Sequence, residues 1–147
     1  MVNCPVFCYH LCRKGGETMW KQFNNNPVGR VSVGDCVVRA ASVALDMTWE
    51  EAFARLAVTA FNMGDVISAN SVLGAVLRQN GFYRKSIPNE CPQCYTFEEF
   101  AEDNPQGVFV LGTGTHVATV KDGVILDAWD SSNEIPQYVW FKPTRKD

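Results

Sequence analysis

An α+β fold, helices first and strands second, is predicted by three features of this 147-residue chain. Apolar residues recur at helical spacing between Cys36 and Gln79. Thr48-Trp-Glu-Glu51 and Thr96-Phe-Glu-Glu99 are capping boxes, in which the threonine accepts from the N–H three residues on and the glutamate reaches back. From Gln106 the period becomes strand-like, and Lys121-Asp-Gly-Val124 signals a two-residue hairpin. The predicted arrangement is N-terminal helices packed on a C-terminal antiparallel sheet.

This length suits one domain. With 46% hydrophobic and 20% charged residues, the composition is that of an ordinary globular protein with a packed core. A net charge of −3 and the lack of a basic cluster argue against nucleic acid as a partner. No apolar run is long enough to cross a bilayer, so no membrane partner is expected. Pro5, His10, Arg13, Lys14 and Glu17 interrupt the first twenty residues, which do not read as a secretory leader. The six cysteines (Cys4, Cys8, Cys12, Cys36, Cys91 and Cys94) are therefore expected to be reduced, in a cytoplasm, because a chain with this much core needs no staples.

Residues 1–18 stand apart as a tail, with Cys4, Cys8, His10 and Cys12 close together ahead of Lys14-Gly15-Gly16-Glu17. The domain is expected over 19–147. From Trp20 to Val33 runs an extended arm, since Asn24-Asn25-Asn26-Pro27 excludes a helix. Gly34 and Asp35 start a helix, with Asp35 as its cap, and the small or apolar residues from Val37 to Leu45 bury most of its surface. The helix capped by Thr48 carries Trp49, Phe53, Leu56, Ala57 and Ala60 at helical spacing and ends at Met63-Gly64; the Met, Trp and Phe residues of the helices are assigned to the core. A third helix spans Asn70 to Gln79, with Val72, Leu73, Val76 and Leu77 inward and Asn80-Gly81 as its stop.

Phe82 to Ile87 reads as an edge strand closed by Pro88, and Cys91-Pro-Gln-Cys94 as a tight knuckle. The helix begun at Thr96 stops before Pro105. Strands at 108–111, 115–121, 124–129 and 138–141 are expected to form an antiparallel meander.

Chemistry centres on Cys36. A thiol at the first or second position of a helix feels the positive end of the helix dipole and the unpaired N–H groups there. Both favour the thiolate, which is the nucleophile, and the same N–H groups can hold an oxyanion. The chain has two histidines, His10 and His116. If Asp122 and Gly123 form the turn, Lys121 faces Val124, so His116 faces Trp129 and Ala118 faces Asp127. Asp127 then lies diagonal to His116 on one side of the sheet, and Asp130 is the reserve. Nucleophile, base and orienter in that setting follow the logic of a thiol hydrolase.

Gly34-Asp35-Cys36 opening the helix, His116-Val-Ala-Thr-Val and Asp127, in that order, resemble the papain-like cysteine peptidase superfamily. The resemblance is nearest to its compact branch, which contains the bacteriocin-processing peptidase domains of ABC exporters. Phe23-Asn-Asn-Asn-Pro27, the run from Gly34 to Ala40, Cys94-Tyr-Thr-Phe97 and Asp127-Ala-Trp-Asp130 are also similar to small proteins of phages and prophages in gut bacteria, over 19–142. The resemblance implies a papain-like fold with Cys36 as nucleophile, His116 as base and Asp127 as orienter. It further implies cleavage of a peptide, isopeptide or amide bond through a thioester, in a bacterial host cytoplasm, with no cofactor. One departure stands out: Arg30 occupies the place, six residues before the nucleophile, where many papain-like enzymes carry an oxyanion-hole Gln. Asn26 is the first replacement, then Gln22 or Asn24.

Two other readings fit the residues. Cys91 and Cys94, with a pair from Cys4, Cys8, His10 and Cys12, could close a structural zinc site. A papain-like fold could also serve as a non-catalytic protein-binding module.

Overall fold

A computed structural model describes residues 19–88 and 94–143. Among these residues the chain forms a mixed α+β fold of four helices and a six-stranded sheet. The helices are α1 (Cys36–Ala44), α2 (Trp49–Met63), α3 (Asn70–Gln79) and α4 (Phe97–Asp103). The strands are β1 (Trp20–Gln22), β2 (Tyr83–Ser86), β3 (Val108–Gly112), β4 (Val117–Lys121), β5 (Val124–Asp127) and β6 (Tyr138–Phe141). The predicted zinc ligands Cys4, Cys8, His10, Cys12 and Cys91 lie outside the described residues, as does the tail to which most of them belong.

Local sequence explains most boundaries. Both capping boxes are complete, at Thr48/Glu51 and Thr96/Glu99. Gly64 ends α2 in the left-handed conformation that a Cβ would strain. Asp122 and Gly123 both take positive φ, the requirement of a primed turn, and the strand register they impose pairs Lys121 with Val124 as expected.

The sheet differs from the expected antiparallel meander. Its order is β1-β5-β4-β3-β6-β2, and β1 pairs parallel with β5. Thus the arm between Trp20 and Val33 begins as a strand, and β6 pairs with β3 and β2 rather than following β5. Two of the six strands precede the hairpin region, so helices and strands are not segregated along the chain.

Three layers result. On one face, Val37, Val38, Ala40 and Ala41 of α1 pack with Leu56 of α2, Val72, Val76 and Leu77 of α3, and Val110, Val117, Tyr138 and Trp140 of the sheet. On the other, Phe97, Phe100 and Ala101 of α4 cover Leu111, Ala118, Val120, Ile125 and Val139. Thr119 Oγ1 donates to the Ala40 carbonyl at 2.9 Å, pinning β4 to the middle of α1. Gly112 lets the Tyr138 ring lie directly against the β3 backbone, for a Cβ there would meet the ring at 2.2 Å.

One expectation about the core fails. Phe53, Phe61 and Met63 of α2 are exposed, Phe61 at 86%. Helical spacing assigns residues to a stripe, but Ala52, Leu56, Thr59 and Ala60 form the buried stripe of α2, which packs on α1 and α3.

Candidate active site

Cys36 is the first residue of α1 and is partly buried. The loop Thr113–His116 closes on itself, with the Thr113 N–H donating to the His116 carbonyl at 2.9 Å and the His116 N–H to Thr113 Oγ1 at 3.1 Å. This turn delivers His116 at the mouth of β4, beside the Cys36 thiol, where each group shifts the other's protonation. The backbone of the next residue, Val117, also favours the thiolate. His116 Nε2 lies 2.6 Å from Asp127 Oδ2, which leaves Nδ1 as the ring nitrogen for the sulfur. The three residues are therefore neighbours, drawn from the start of α1, the turn before β4, and β5.

Asp127 is 1% exposed and its acceptor capacity is filled. Besides His116, it accepts from Ser131 Oγ at 2.7 Å, the Ala128 N–H at 2.8 Å and Arg39 Nη2 at 3.4 Å. The Trp129 ring sits 4.7 Å from the imidazole, on the face the hairpin register assigns to it. Asp130 is occupied elsewhere: its carboxylate accepts from the Ser132 N–H and Oγ.

These contacts set the electrostatics. Burial works against the Cys36 thiolate, but the hydrogen bonds from His116 and Val117 and the charges of His116 and Arg39 outweigh it, so the thiol sits below its ordinary value of 9.0. Burial likewise opposes the imidazolium, yet the hydrogen bonds to Asp127 and Cys36 and their charges raise His116 from 6.5 to about 9. For Asp127, burial is overcome by its bonds to His116 and Ser131, the imidazolium charge and the Ala128 N–H, which hold it below 3.8. Each group thus favours the charged form of its neighbour.

Asp35 holds the helix-cap position but makes no side-chain cap bond, contrary to expectation. Its carboxylate instead accepts from Arg39 Nη1 and, at 2.9 Å, from Trp49 Nε1. A buried guanidinium one turn away outcompetes the backbone for the acid. The first-turn N–H groups of α1, Cys36 included, are left without a side-chain acceptor and can receive an anion.

Cys36 and His116 open on a cleft of about 360 Å³ walled by Val66, Ser68, Ala69, Asn70, Gly114 and Thr115. A more apolar groove of about 380 Å³ adjoins it across Val37 and Ser68, lined by Val28, Val33, Val38, Trp49, Phe53 and Ile67 among others. Asn26 lines this groove rather than the cleft, with its Oδ1 accepting from the N–H groups of Val28 and Arg30. Asn24 is committed to the same loop, donating to the Arg30 carbonyl and accepting from the Asn26 N–H. Gln22 pairs with Asp127 along the β1–β5 ladder and does not line the cleft.

Sequence reading missed Arg39 and Ser131. A lone arginine among nine residues that are otherwise small or apolar, four positions after an aspartate, was the available signal for the first. Ser131 carried none, because it reaches Asp127 through a turn with no periodic pattern. Among the described residues no group of three or more His, Cys, Asp or Glu side chains could hold a metal, and no helix is long and apolar enough to cross a membrane. A scan against protein-family models and searches of curated proteins and of solved structures return no match.

Proposed function

We propose that this protein is a papain-like thiol hydrolase that cleaves a peptide, isopeptide or amide bond of a peptide or protein substrate. The observation that carries the reading is the placing of Cys36, at the start of α1, beside a His116 ring that has the buried Asp127 carboxylate 2.6 Å behind it. Lone buried cysteines and lone strand histidines are common. A cysteine with a lowered thiol pKa, facing a histidine with a raised one at the edge of a cleft, is the arrangement expected of an activated nucleophile and its base.

In this mechanism the Cys36 thiolate attacks the carbonyl carbon, and the carbonyl electron pair moves to oxygen. The uncapped N–H groups at the start of α1 receive that oxyanion. The oxyanion collapses, the His116 imidazolium protonates the departing amine, and a thioester to Cys36 remains. The neutral imidazole then takes a proton from water, whose oxygen attacks the thioester and releases the acid and the thiolate. Asp127 keeps Nδ1 aimed at the sulfur throughout. A reducing cytoplasm, such as that of a bacterial host, would keep the nucleophile active.

Incubation with a proteome-derived peptide library tests the proposal. Cleavage by the wild-type protein that disappears in Cys36→Ala and in His116→Ala is the expected result. Cleavage surviving in Cys36→Ala, or none by the wild type in reducing buffer, would contradict it.

A further inference from the structure

Asp35 sits one residue before Cys36, in the cap position, yet gives nothing to the helix amides. Asp35 and Arg39 are 5% and 7% exposed, and the guanidinium is shared between two acids: Nη1 with Asp35, Nη2 with Asp127 at 3.4 Å. We propose that Asp35 is a positioning residue that takes a share of the Arg39 charge, so that Asp127 keeps more of its negative charge for His116. The purpose of this device rests on the hydrolase reading above; the device itself is an electrostatic property of the folded chain.

Charge counting carries the argument. Asp35, Arg39 and Asp127 together bear one net negative charge, the amount needed to face one imidazolium. Without Asp35, Arg39 would be the sole full countercharge on α1 and would neutralise Asp127 directly. The groups facing Asp127 and His116 are Cys36 and Arg39 from α1, Thr113 from the β3–β4 turn, and Trp129, Ser131 and the Ala128 N–H after β5. The Trp20 indole from β1 donates to the Asp127 carbonyl. Among these, Arg39 is the one fixed cation, so its allocation decides how much of the Asp127 charge the imidazole feels. Trp49 Nε1 steadies the far acid at 2.9 Å from α2, which keeps it from turning to the helix amides.

The test is a titration of the His116 ring by NMR in the full-length Cys36→Ala protein, where Asp127 is its remaining partner. The chain has two histidines, so His10→Gln assigns the signals. Asp35→Asn keeps an oxygen for Trp49 and removes only the charge; it should lower the His116 midpoint by about one pH unit. Arg39→Gln should raise the midpoint, and Asp35→Asn with Arg39→Gln should return it to near the parent value. A role in packing alone would move all three variants toward the free imidazole value. An unchanged midpoint in Asp35→Asn, a fall in Arg39→Gln, or a double variant that falls as far as Asp35→Asn would each overturn the proposal. No hydrolysis enters this measurement, so its failure leaves the hydrolase reading to its own test.

Discussion

Asp127→Asn isolates what the buried acid contributes. The rise of His116 from 6.5 to about 9 corresponds to about 3 kcal/mol in favour of the imidazolium, net of the opposing cost of burial. Asp127 and Cys36 share that gain. Asparagine preserves the size of the side chain, and its amide oxygen can still accept from Ser131, but the charge is gone. Losing about half the gain would lower the His116 pKa by about one unit and raise the Cys36 pKa through the weakened imidazolium. The rate of Cys36 alkylation by iodoacetamide, followed by peptide mass spectrometry across pH, reads this directly. We expect the midpoint for thiolate formation to move up and the rate at neutral pH to fall, with thermal unfolding showing that the fold persists. Superimposable profiles for wild type and variant would refute the claim that Asp127 sustains the thiolate–imidazolium pair.

Two further predictions concern stability. In Cys36→Ala the raised His116 pKa stabilises the fold fully below pH 6.5, the unfolded value, and that stability is lost as pH rises through the folded value. Urea unfolding should therefore show a falling midpoint across this window. The wild type should show a flatter profile, because the lowered Cys36 pKa contributes in the opposite direction below 9.0. An equal slope in both proteins would contradict the pairing. Gly112→Ala should destabilise by about 1–3 kcal/mol, since its Cβ would meet the Tyr138 ring at 2.2 Å and the ring is 7% exposed; an unshifted melting temperature would show that the ring is free to move.

Much of the site was legible because a few residues with strict conformational demands fix it. Asp122-Gly123 dictates a primed turn, the turn dictates register, and register brings His116, Asp127 and Trp129 to one place. The Cys36 helix was legible from its run of small and apolar residues, broken only by Arg39. Trp20–Gln22 was not, because three residues are too few to show a strand period and their partner lies more than a hundred positions away. The Asp35 cap failed for a physical reason: cap preference is a local rule, and a buried Arg39 offers a stronger partner than a backbone amide. Phe53 and Phe61 show the limit of periodicity, which reveals stripes but not which of them finds a neighbour.

The most direct test of the central claim is the thiolate absorbance of the native protein, taken as wild type minus Cys36→Ser across pH. A paired sulfur and ring predict a thiolate that forms below the ordinary thiol value of 9.0. A signal that appears only as pH approaches that value would mean that Cys36 is an ordinary cysteine.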